Sequence, residues 1–385
     1  MFILKILARN AFRHRLRTML TILGITIAIL AFGLLRTVVS AWYAGVNASS
    51  ASRLITRSSV SLVFSLPISY LERIRQIEGV KGVSYANWFG GVYITEKNFF
   101  PNFAIEPKSY LELYPEFVLP PDQKQAFLID RKGCVAGRKL VERFGWRVGD
   151  TITLKGTIFP GNWEFVLRGV YEGAEKSTDE SQFFFHWNYL NETLKKTVAR
   201  RADQVGIFLI ALKNPQAAAE TALAVDARFK NSLAETLTET EKAFQLSFVS
   251  MTEAIVVAIR IVSYVVIIII MAVVANTMAM TARERIGEYA IFKAMGFRAW
   301  HIAGMVFGES FFITMSGCAV GIALTFPVAA RFGALMGAFF PVFQIDAATL
   351  YMDVVFCLVI GVVAAAFPTW RAVNINIAEG LRRIG

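Results

Sequence analysis

Four apolar stretches constrain the fold of this chain more than any other feature of its sequence. They lie at residues 18–35, 261–280, 302–330 and 350–367. A helix needs about 17 to 25 apolar residues to cross roughly 30 Å of hydrocarbon. The sequence therefore predicts four transmembrane helices, of which the last is the shortest and carries an acidic residue, Asp353, near its start.

The composition supports a membrane protein. Of the 385 residues, 55% are hydrophobic and 18% are charged, whereas a typical soluble domain has about 25% charged residues. This excess of apolar residues argues against a purely soluble enzyme. The formal net charge is +11, and three causes can produce such a charge: nucleic-acid binding, attraction to an anionic membrane surface, or membrane topology.

The distribution of the basic residues identifies topology as the main cause of this charge. Segments 1–17, 281–301 and 368–385 together hold 12 Lys and Arg against 3 Asp and Glu, while region 42–250 holds 25 against 22. By the positive-inside rule, both termini and the 281–301 loop are cytoplasmic and the large middle region is outside. Because the basic residues form no single stripe, no nucleic-acid partner is expected.

The predicted fold class is a membrane protein with four transmembrane helices and an α+β extracytoplasmic domain inserted between helices one and two. Its predicted segments are a cytoplasmic amphipathic helix (1–17), transmembrane helix 1 (18–41), the extracytoplasmic domain (42–250), transmembrane helix 2 (251–280), a cytoplasmic loop (281–301), transmembrane helix 3 (302–330), an outside loop (331–349), transmembrane helix 4 (350–367) and a cytoplasmic tail (368–385).

The inserted region mixes short helical and strand-like segments, which is typical of an α+β domain. The expected elements are helices at 66–77, 134–144 and 215–229, strands at 80–94, 151–155, 165–171 and 205–212, and a loop at 119–122. A further helix is expected to run from residue 233 straight into the second span. Cys134 is the only cysteine of this region, so the domain is expected to be held together by packing rather than by an internal disulfide.

The sequence lacks the motifs of common hydrolases and nucleotide-binding proteins. It contains no G-x-x-x-x-G-K-[ST] loop, no G-x-S-x-G elbow, no H-E-x-x-H and no C-x-x-C. His186 is the only histidine of region 42–250, and it is expected in a strand beside the aromatic run 183–185, which is either core or an exposed contact surface. No catalytic site, metal site or cofactor is therefore expected in this chain.

Besides Asp353, three ionisable residues lie in or near the predicted spans, where charges are costly and therefore informative. Arg36 and Arg260 lie near the predicted outer ends of the first two spans. They either extend to the membrane interface or flank an entrance between the domain and the spans. Glu309 lies about two turns into the third span, where it either pairs with a neighbouring helix or serves as a proton or substrate site.

The loop after the second span carries the strongest local pattern. Residues 283–296 begin as a charged continuation of the helix, become apolar and stop at Gly296. A short helix that lies on the membrane surface with exposed apolar residues needs a cytoplasmic partner to cover it. The alternative is an ordinary charged turn.

Four segments also carry a recognisable pattern when they are taken in order. They are LARNAFRHRLRTMLTILGI at 7–25, VAGRKL…RVGDTI within 135–152, RERIGEYAIFKAMG at 283–296 followed by Glu309, and PTWRA…EGLR within 368–382. Together they resemble the ABC-transporter permeases of the MacB, LolC and FtsX family. The resemblance covers nearly the whole chain and includes the order of one span, a large outside domain and three further spans.

The resemblance implies a transport function. Such permeases pair as dimers, bind separate ATPase subunits through the loop after the second span, and convert ATP-driven closure into movement of the outside domain. A helix over 233–280 would carry that movement, and ATP and Mg²⁺ would be bound by the partner ATPase. The residues then expected to contact the ATPase are Arg283, Glu284, Arg285, Glu288, Lys293 and Gly296.

The expected setting is the bacterial cytoplasmic (inner) membrane, and the expected substrate is a lipid, a lipoprotein or an amphipathic drug. The expected partners are the ATPase, a second identical or related permease and membrane lipids, with a periplasmic adaptor or acceptor left open. Two other functions also remain open. One is an FtsX-like regulator that switches a cell-wall hydrolase, and the other is a membrane receptor or enzyme that works without an ATPase.

Overall fold

The computed structural model of the protein describes residues 12–337, 340 and 342–374. In chain order its α-helices are α1 (Arg15–Trp42), α2 (Ala44–Ala48), α3 (Tyr70–Arg75), α4 (Pro107–Leu113), α5 (Pro121–Ile129), α6 (Arg138–Phe144), α7 (Trp187–Thr197), α8 (Ala218–Phe229), α9 (Glu241–Ser250), α10 (Glu253–Glu284), α11 (Ile286–Ala294), α12 (Ala299–Met336) and α13 (Ala347–Val373).

The strands all lie between the first and second long helices. They are β1 (Arg53–Ser58), β2 (Leu66–Pro67), β3 (Val80–Trp88), β4 (Gly91–Tyr93), β5 (Asn102–Ile105), β6 (Phe117–Val118), β7 (Gly133–Gly137), β8 (Thr151–Gly156), β9 (Gly161–Gly173), β10 (Phe183–His186), β11 (Gln204–Val205), β12 (Ile207–Leu212) and β13 (Thr236–Thr240).

Within the described residues, four helices have the length and composition to cross a membrane: α1, α10, α12 and α13. The predicted fold class, with four spans around an inserted domain, is confirmed. Each helix is longer than the apolar stretch that predicted it, and α12 continues through Pro327 to Met336. The predicted amphipathic helix at 1–17 lies mostly outside the described residues, as does the tail beyond residue 374.

The four long helices pack around a shared apolar core. Helix α1 contacts α10, α12 and α13, and α13 also contacts α10 and α12. The buried side chains of this core are Ile25, Ala28, Ile29, Phe32, Ile267, Ile270, Val274, Met278, Ile313, Cys318, Cys357, Ile360 and Ala364. A disulfide between Cys318 and Cys357 joins α12 to α13. The sequence places both cysteines in spans but does not predict their pairing.

Glycines on α12 allow it to approach α1 closely. A Cβ on Gly317 would lie 2.8 Å from the Cβ of Ile25, and a Cβ on Gly321 would lie 3.0 Å from the Cβ of Ile29. The hydroxyl of Thr26 donates a hydrogen bond to the Gly317 carbonyl across this contact, at 3.1 Å. Small residues of this kind are a common means of helix association in membranes, because they let the two backbones come near each other.

Residues 43–252 form a separate compact unit built on a mixed sheet. The strand order is β13-β1-β12-β3-β5-β10-β7-β9-β8-β4, with β6 beside β9. The β5–β10 and β7–β9 pairs are parallel and the other pairs are antiparallel. The domain thus combines helices with a mostly antiparallel sheet, in agreement with the predicted α+β domain.

The aromatic run of β10 is core. Phe183, Phe184 and Phe185 are each at most 1% exposed. Because successive side chains of a strand point to opposite faces, Phe184 joins one apolar cluster while Phe183 and Phe185 join the other. His186 ends the strand, as predicted, and its Nε2 lies 2.6 Å from the Phe127 carbonyl oxygen.

Four local predictions for the domain were wrong. The helix predicted at 134–144 begins only at Arg138, because residues 133–137 pair with two neighbouring strands as β7, and sheet pairing overrides local propensity. The helix predicted at 66–77 is confined to α3. The loop predicted at 119–122 starts α5 at Pro121, a position that suits proline because the first turn of a helix needs no N–H donor.

The fourth error concerns the connection to the second span. A continuous helix was predicted from residue 233, but the structure has strand β13, then α9, then a turn before α10 begins at Glu253. Strand β13 forms because it pairs with β1 and because Asp226 accepts hydrogen bonds from the hydroxyls of Thr236 and Thr238, each at 2.8 Å. Thr240 then caps α9.

A buried ionic cluster lies where the chain enters and leaves the domain. Glu241, the first residue of α9, accepts hydrogen bonds from Arg53 Nε and from the Ser50 backbone N–H, both at 2.8 Å. Arg53 also bonds Glu116 at 2.6 Å, and Tyr114 donates to Glu241 at 3.1 Å. We call these residues (Ser50, Arg53, Tyr114, Glu116, Glu241) the root cluster. It fixes the two ends of the domain to each other and to the 113–117 segment.

Candidate functional site

The loop after α10 folds into a short helix, α11, that is held against the ends of the spans. Tyr289 and Ala290 are buried on one side of α11, and Tyr289 packs with Ile302, Val306 and Ala372 from α12 and α13. The apolar residues of the predicted loop thus divide into a buried face and an exposed face. The buried face attaches α11 to two spans.

Ion pairs add a second set of attachments, to α1. Arg17 bonds both oxygens of Glu284 at 2.7 Å, a bidentate arrangement that fixes orientation as well as distance. Arg13 bonds Glu288 at 2.5 Å. Arg17 lies in the first turn of α1, and Arg13 lies in the 3₁₀ turn Phe12–His14 just before it. The two pairs therefore connect the start of α1 to the end of α10 and the start of α11.

Arg285 is the central residue of this network. It is 7% exposed and it pairs with Glu309 of α12 and, at 3.1 Å, with Glu288. Burial lowers the pKa of its guanidinium, but the fields of Tyr289, Glu309 and Glu288 outweigh this effect and raise the pKa above its ordinary value. Burial acts against the ionised form of Glu288, but hydrogen bonds from Arg285 and Arg13 lower the pKa of that carboxyl. Both groups are therefore charged at neutral pH.

The C-terminal end of α11 is attached to α13 and then turns sharply. Lys293 Nζ donates to the Val373 carbonyl oxygen at 2.5 Å. Gly296 has a φ of +92°, and the N–H of Phe297 bonds the Phe292 carbonyl, which is a common glycine-dependent way to end a helix. Gly296 is therefore required for the shape of the turn.

The exposed face of this segment is apolar. Ile291, Met295, Phe297 and Trp300 are 42%, 60%, 44% and 65% exposed, and we call these four residues the exposed tip. They lie at the end of α11, on the turn that follows it and at the start of α12. Apolar residues grouped in this way on a polar-flanked surface are typical of a protein contact.

The structure brings most of the predicted site residues together, but in contacts within the chain. Glu284, Arg285 and Glu288 form ion pairs with other residues of the chain, and Arg283 is exposed. Their predicted role as ATPase contacts stays a prediction. The residues that the prediction missed are those of the exposed tip, and the signal for them was the apolar run on either side of Gly296.

The three polar residues predicted in the spans have different surroundings. Glu309 is 8% exposed and paired with Arg285 across helices. Arg260 is exposed on α10. Arg36 is partly buried, and its Nε atom is buried without a hydrogen-bond partner. Within the described residues, no group of side chains could hold a metal ion.

Comparison with known proteins identifies the family. The model of the MacB-like periplasmic core domain matches residues 18–228, more than half of the chain, and the model of the FtsX-like permease C-terminal domain matches residues 260–377. An uncharacterised ABC transporter permease of Methanocaldococcus jannaschii is 24% identical over 398 aligned positions, covering 97% of this chain and 96% of that relative.

Two solved domains show weaker likeness. The extracellular domain of the noncanonical ABC-type transporter YknZ from Gram-positive bacteria has a TM-score of 0.35 and 11% identity, covering 49% of this chain and all of that one. A permease domain from Porphyromonas gingivalis has a TM-score of 0.34 and 17% identity, covering 49% and 90%. These scores are low, so the assignment rests on the matched families. The chain belongs to the MacB, LolC and FtsX family of ABC-transporter permeases, with a MacB-like periplasmic core domain and an FtsX-like permease C-terminal domain.

Proposed function

We propose that this chain works with a separate ATPase subunit and couples ATP hydrolysis to movement of its extracytoplasmic domain, so that a hydrophobic or amphipathic substrate is exported or extracted. The observation that carries the proposal is the exposed tip, a group of apolar side chains at the end of α11 and at the start of α12. Helix α11 is itself attached to the start of α1, to α12 and to α13. In this proposal the tip, both termini and α11 are cytoplasmic, and ATP and Mg²⁺ are bound by the partner.

The contacts of α11 support a role in transmission. A displacement of the tip would act on α1 through Arg13 and Arg17, on α12 through Glu309, and on α13 through Val373. The buried face of α11 also packs on α12 and α13. One short helix is therefore attached to α12, to α13 and to the residues that lead into α1, which is the geometry that a shared mechanical input requires.

The structure changes the expected route from the spans to the domain. Residues 233–280 do not form a single helix, so movement cannot pass along one rigid helix from the span to the domain. We infer that α1 and α10 act instead on α2 and α9, which contact each other, and that the root cluster passes the movement to the domain. Arg53 and Glu241 are each 6% exposed, and breaking such a buried pair is strongly unfavourable, so the two segments should move as one.

The test is recovery of the ATPase with the full-length chain from its native membrane, followed by mass spectrometry. Met295→Glu and Trp300→Glu place a charge on the exposed tip. Loss of a central contact residue commonly costs about 2 kcal/mol or more, so ATPase recovery should fall more than about tenfold. Ile129→Glu is the matched control, because Ile129 is an apolar residue of the inserted domain with 74% exposure.

Three results would contradict the proposal. Unchanged ATPase recovery with both tip variants would show that the contact lies elsewhere. Recovery of the chain without any ATPase in several mild detergents would favour a receptor that works alone. Recovery of an ATPase together with a cell-wall hydrolase, without any substrate-stimulated ATP turnover, would favour a regulator over a transporter.

A further inference from the structure

Asp353 is a buried carboxyl group in α13 that the proposed function does not use. It is 0% exposed, and neither carboxylate oxygen has a hydrogen-bond partner in the part of the chain that the structure describes. An isolated ionised carboxylate in such surroundings is strongly unfavourable, so the group is expected to be neutral or to hold a cation. Ionisable residues within spans are functional candidates for this reason.

Two threonine side chains lie on the same side of the helices as this carboxyl group. Thr349 lies one helical turn before Asp353, on the same face of α13; it is also 0% exposed, and its Oγ1 has no partner. From the other helices, Gly33 of α1 and Thr325 of α12 meet the group. The Oδ2 of Asp353 and the Oγ1 of Thr325 both lie 3.3 Å from the position that a Cβ on Gly33 would take. The absence of a side chain at Gly33 is what leaves room for the carboxyl group.

Few charged groups face this position. On α1 the basic residue is Arg36, three residues from Gly33 and therefore on the same side of the helix. On α12 no charged residue occurs between Glu309 and Arg331.

The remaining titratable residues near this position lie on α10 and α13. On α10 they are Arg260, which is exposed, and Tyr264, whose ring lies 6.1 Å from that of Phe356. On α13 itself they are Asp346 and the exposed Tyr351.

Arg36 is the cation that could balance an ionised Asp353. Its Nε atom is buried without a hydrogen-bond partner. The structure therefore holds an unpaired carboxyl group and an unpaired guanidinium nitrogen in the same half of the helix bundle. A small rotation of α1 or α13 would change how near the two groups are.

We propose that Asp353 is a proton-binding site formed by α1, α12 and α13. It carries a proton while these helices are packed as in this structure. When α1 and α13 separate and water reaches the carboxyl group, the proton passes to water, and the guanidinium of Arg36 balances the carboxylate that remains. The physical reason is linkage: a group that is buried in one state and solvated in another binds protons differently in the two states. The movement of the spans would thus be coupled to proton uptake and release.

The test uses dicyclohexylcarbodiimide, an apolar reagent that modifies protonated carboxyl groups in membranes, on the full-length chain in lipid vesicles. Peptide mass spectrometry then gives the fraction modified at each carboxyl group. We expect modification of Asp353 that falls about tenfold per pH unit above its midpoint, because the protonated fraction falls in this way. Glu309 is the internal control, because its carboxyl group is engaged by the guanidinium of Arg285, and it should remain unmodified.

A second measurement does not depend on access of the reagent. Infrared spectra of wild type and Asp353→Asn should differ by one carbonyl band of a protonated carboxyl group, and this band should disappear at high pH. Arg36→Gln should move that disappearance upward by about 1 to 3 pH units, because a nearby positive charge favours the ionised form by this amount.

The outcomes are distinct. Identical infrared spectra of wild type and Asp353→Asn at every pH would overturn the proposal. If sodium at constant pH protects Asp353 from modification by the carbodiimide, the site binds a sodium ion instead of a proton. If the carbonyl band of Arg36→Gln disappears at the same pH as in wild type, Arg36 does not balance the charge of Asp353. None of these measurements involves an ATPase, so their failure would leave the proposed function intact.

Discussion

At the scale of single residues, the spans are specified by small and polar side chains placed among many interchangeable apolar ones. The apolar character of α12 puts it in the membrane, but Gly317 and Gly321 set its distance from α1. Thr26 adds one hydrogen bond across the same contact. Lipid chains are as apolar as the helix surfaces, so such close contacts decide which surfaces meet.

This leads to a prediction for Gly317→Ala. The added methyl group would meet Ile25 Cβ at 2.8 Å and the Ile22 carbonyl oxygen at 3.0 Å, so the helices must move apart. Overpacking of this kind commonly costs about 1 to 3 kcal/mol. We expect a lower free energy of unfolding for the full-length protein in mixed detergent micelles, measured by denaturant titration.

Gly304→Ala is the matched control, because Gly304 lies in the same helix and a Cβ there meets nothing within 4 Å. Alanine is favoured over glycine inside a helix by roughly 0.5–1 kcal/mol, so this variant should be equally stable or slightly more stable. Equal destabilisation by the two substitutions would show that helix propensity, and not the contact with α1, explains the result.

At the scale of elements, α11 is stable as a short helix only because of its surroundings. Nine residues are too few for an independent helix in water. Its buried face, its ion pairs with α1 and α12, and its bond to the Val373 carbonyl position it instead. The charges that the sequence suggested for partner contact are the charges that attach α11 to its own chain.

A charge exchange can distinguish attachment from partner contact, and this prediction rests on the proposed function. Arg17→Glu and Glu284→Arg each break the bidentate pair, and each should lower substrate-stimulated ATP turnover of the assembled transporter by roughly fivefold, equivalent to about 1 kcal/mol. The double variant restores opposite charges at the same positions. It should recover most of the activity, because paired residues show strong coupling in such cycles.

The contrary result is equally informative. If Glu284 contacts the ATPase directly, the double variant will be as impaired as Glu284→Arg alone, since the partner surface still meets the wrong charge. Size-exclusion profiles of all three variants give the necessary check that the permease itself remains intact.

At the scale of the whole molecule, the chain consists of two compact units that are each stabilised by their own core. Residues 43–252 contain every described strand, two apolar clusters and the root cluster. Cys134 is 0% exposed, and burial raises the pKa of its thiol well above the ordinary value. The domain therefore does not depend on a disulfide.

We expect residues 43–252 to fold when they are expressed alone. The sheet and both clusters lie within these residues, and about 210 residues are enough for a stable core. The fragment should unfold in one cooperative thermal transition, followed by circular dichroism. Its single thiol should react with an aromatic disulfide reagent only after denaturation. A thiol that reacts at once in the native buffer, or a fragment without a transition, would contradict this prediction.

The sequence by itself determined the features that depend on composition and order along the chain. Long apolar runs require helices in a membrane, because unpaired backbone groups are too costly there. The distribution of basic residues gave a predicted orientation, and the motifs at 7–25, 135–152, 283–296 and 368–382 indicated the family that the comparisons confirm. Strands such as β8 and β9 were predictable because their local patterns agree with their final positions.

The tertiary structure decided everything that depends on which residues meet. Segment 133–137 is a strand because two other strands flank it, and β13 is a strand because β1 and Asp226 bind it. Glu284 and Glu288 form ion pairs within the chain because the start of α1 lies beside the end of α10 and the start of α11. Asp353 is a candidate site because Gly33 and Thr325, from two other helices, pack around the same point as its carboxyl group. Local sequence patterns report the propensity of a segment for helix or strand. Which distant segments pair is decided by packing, and a short stretch of sequence does not show that pairing.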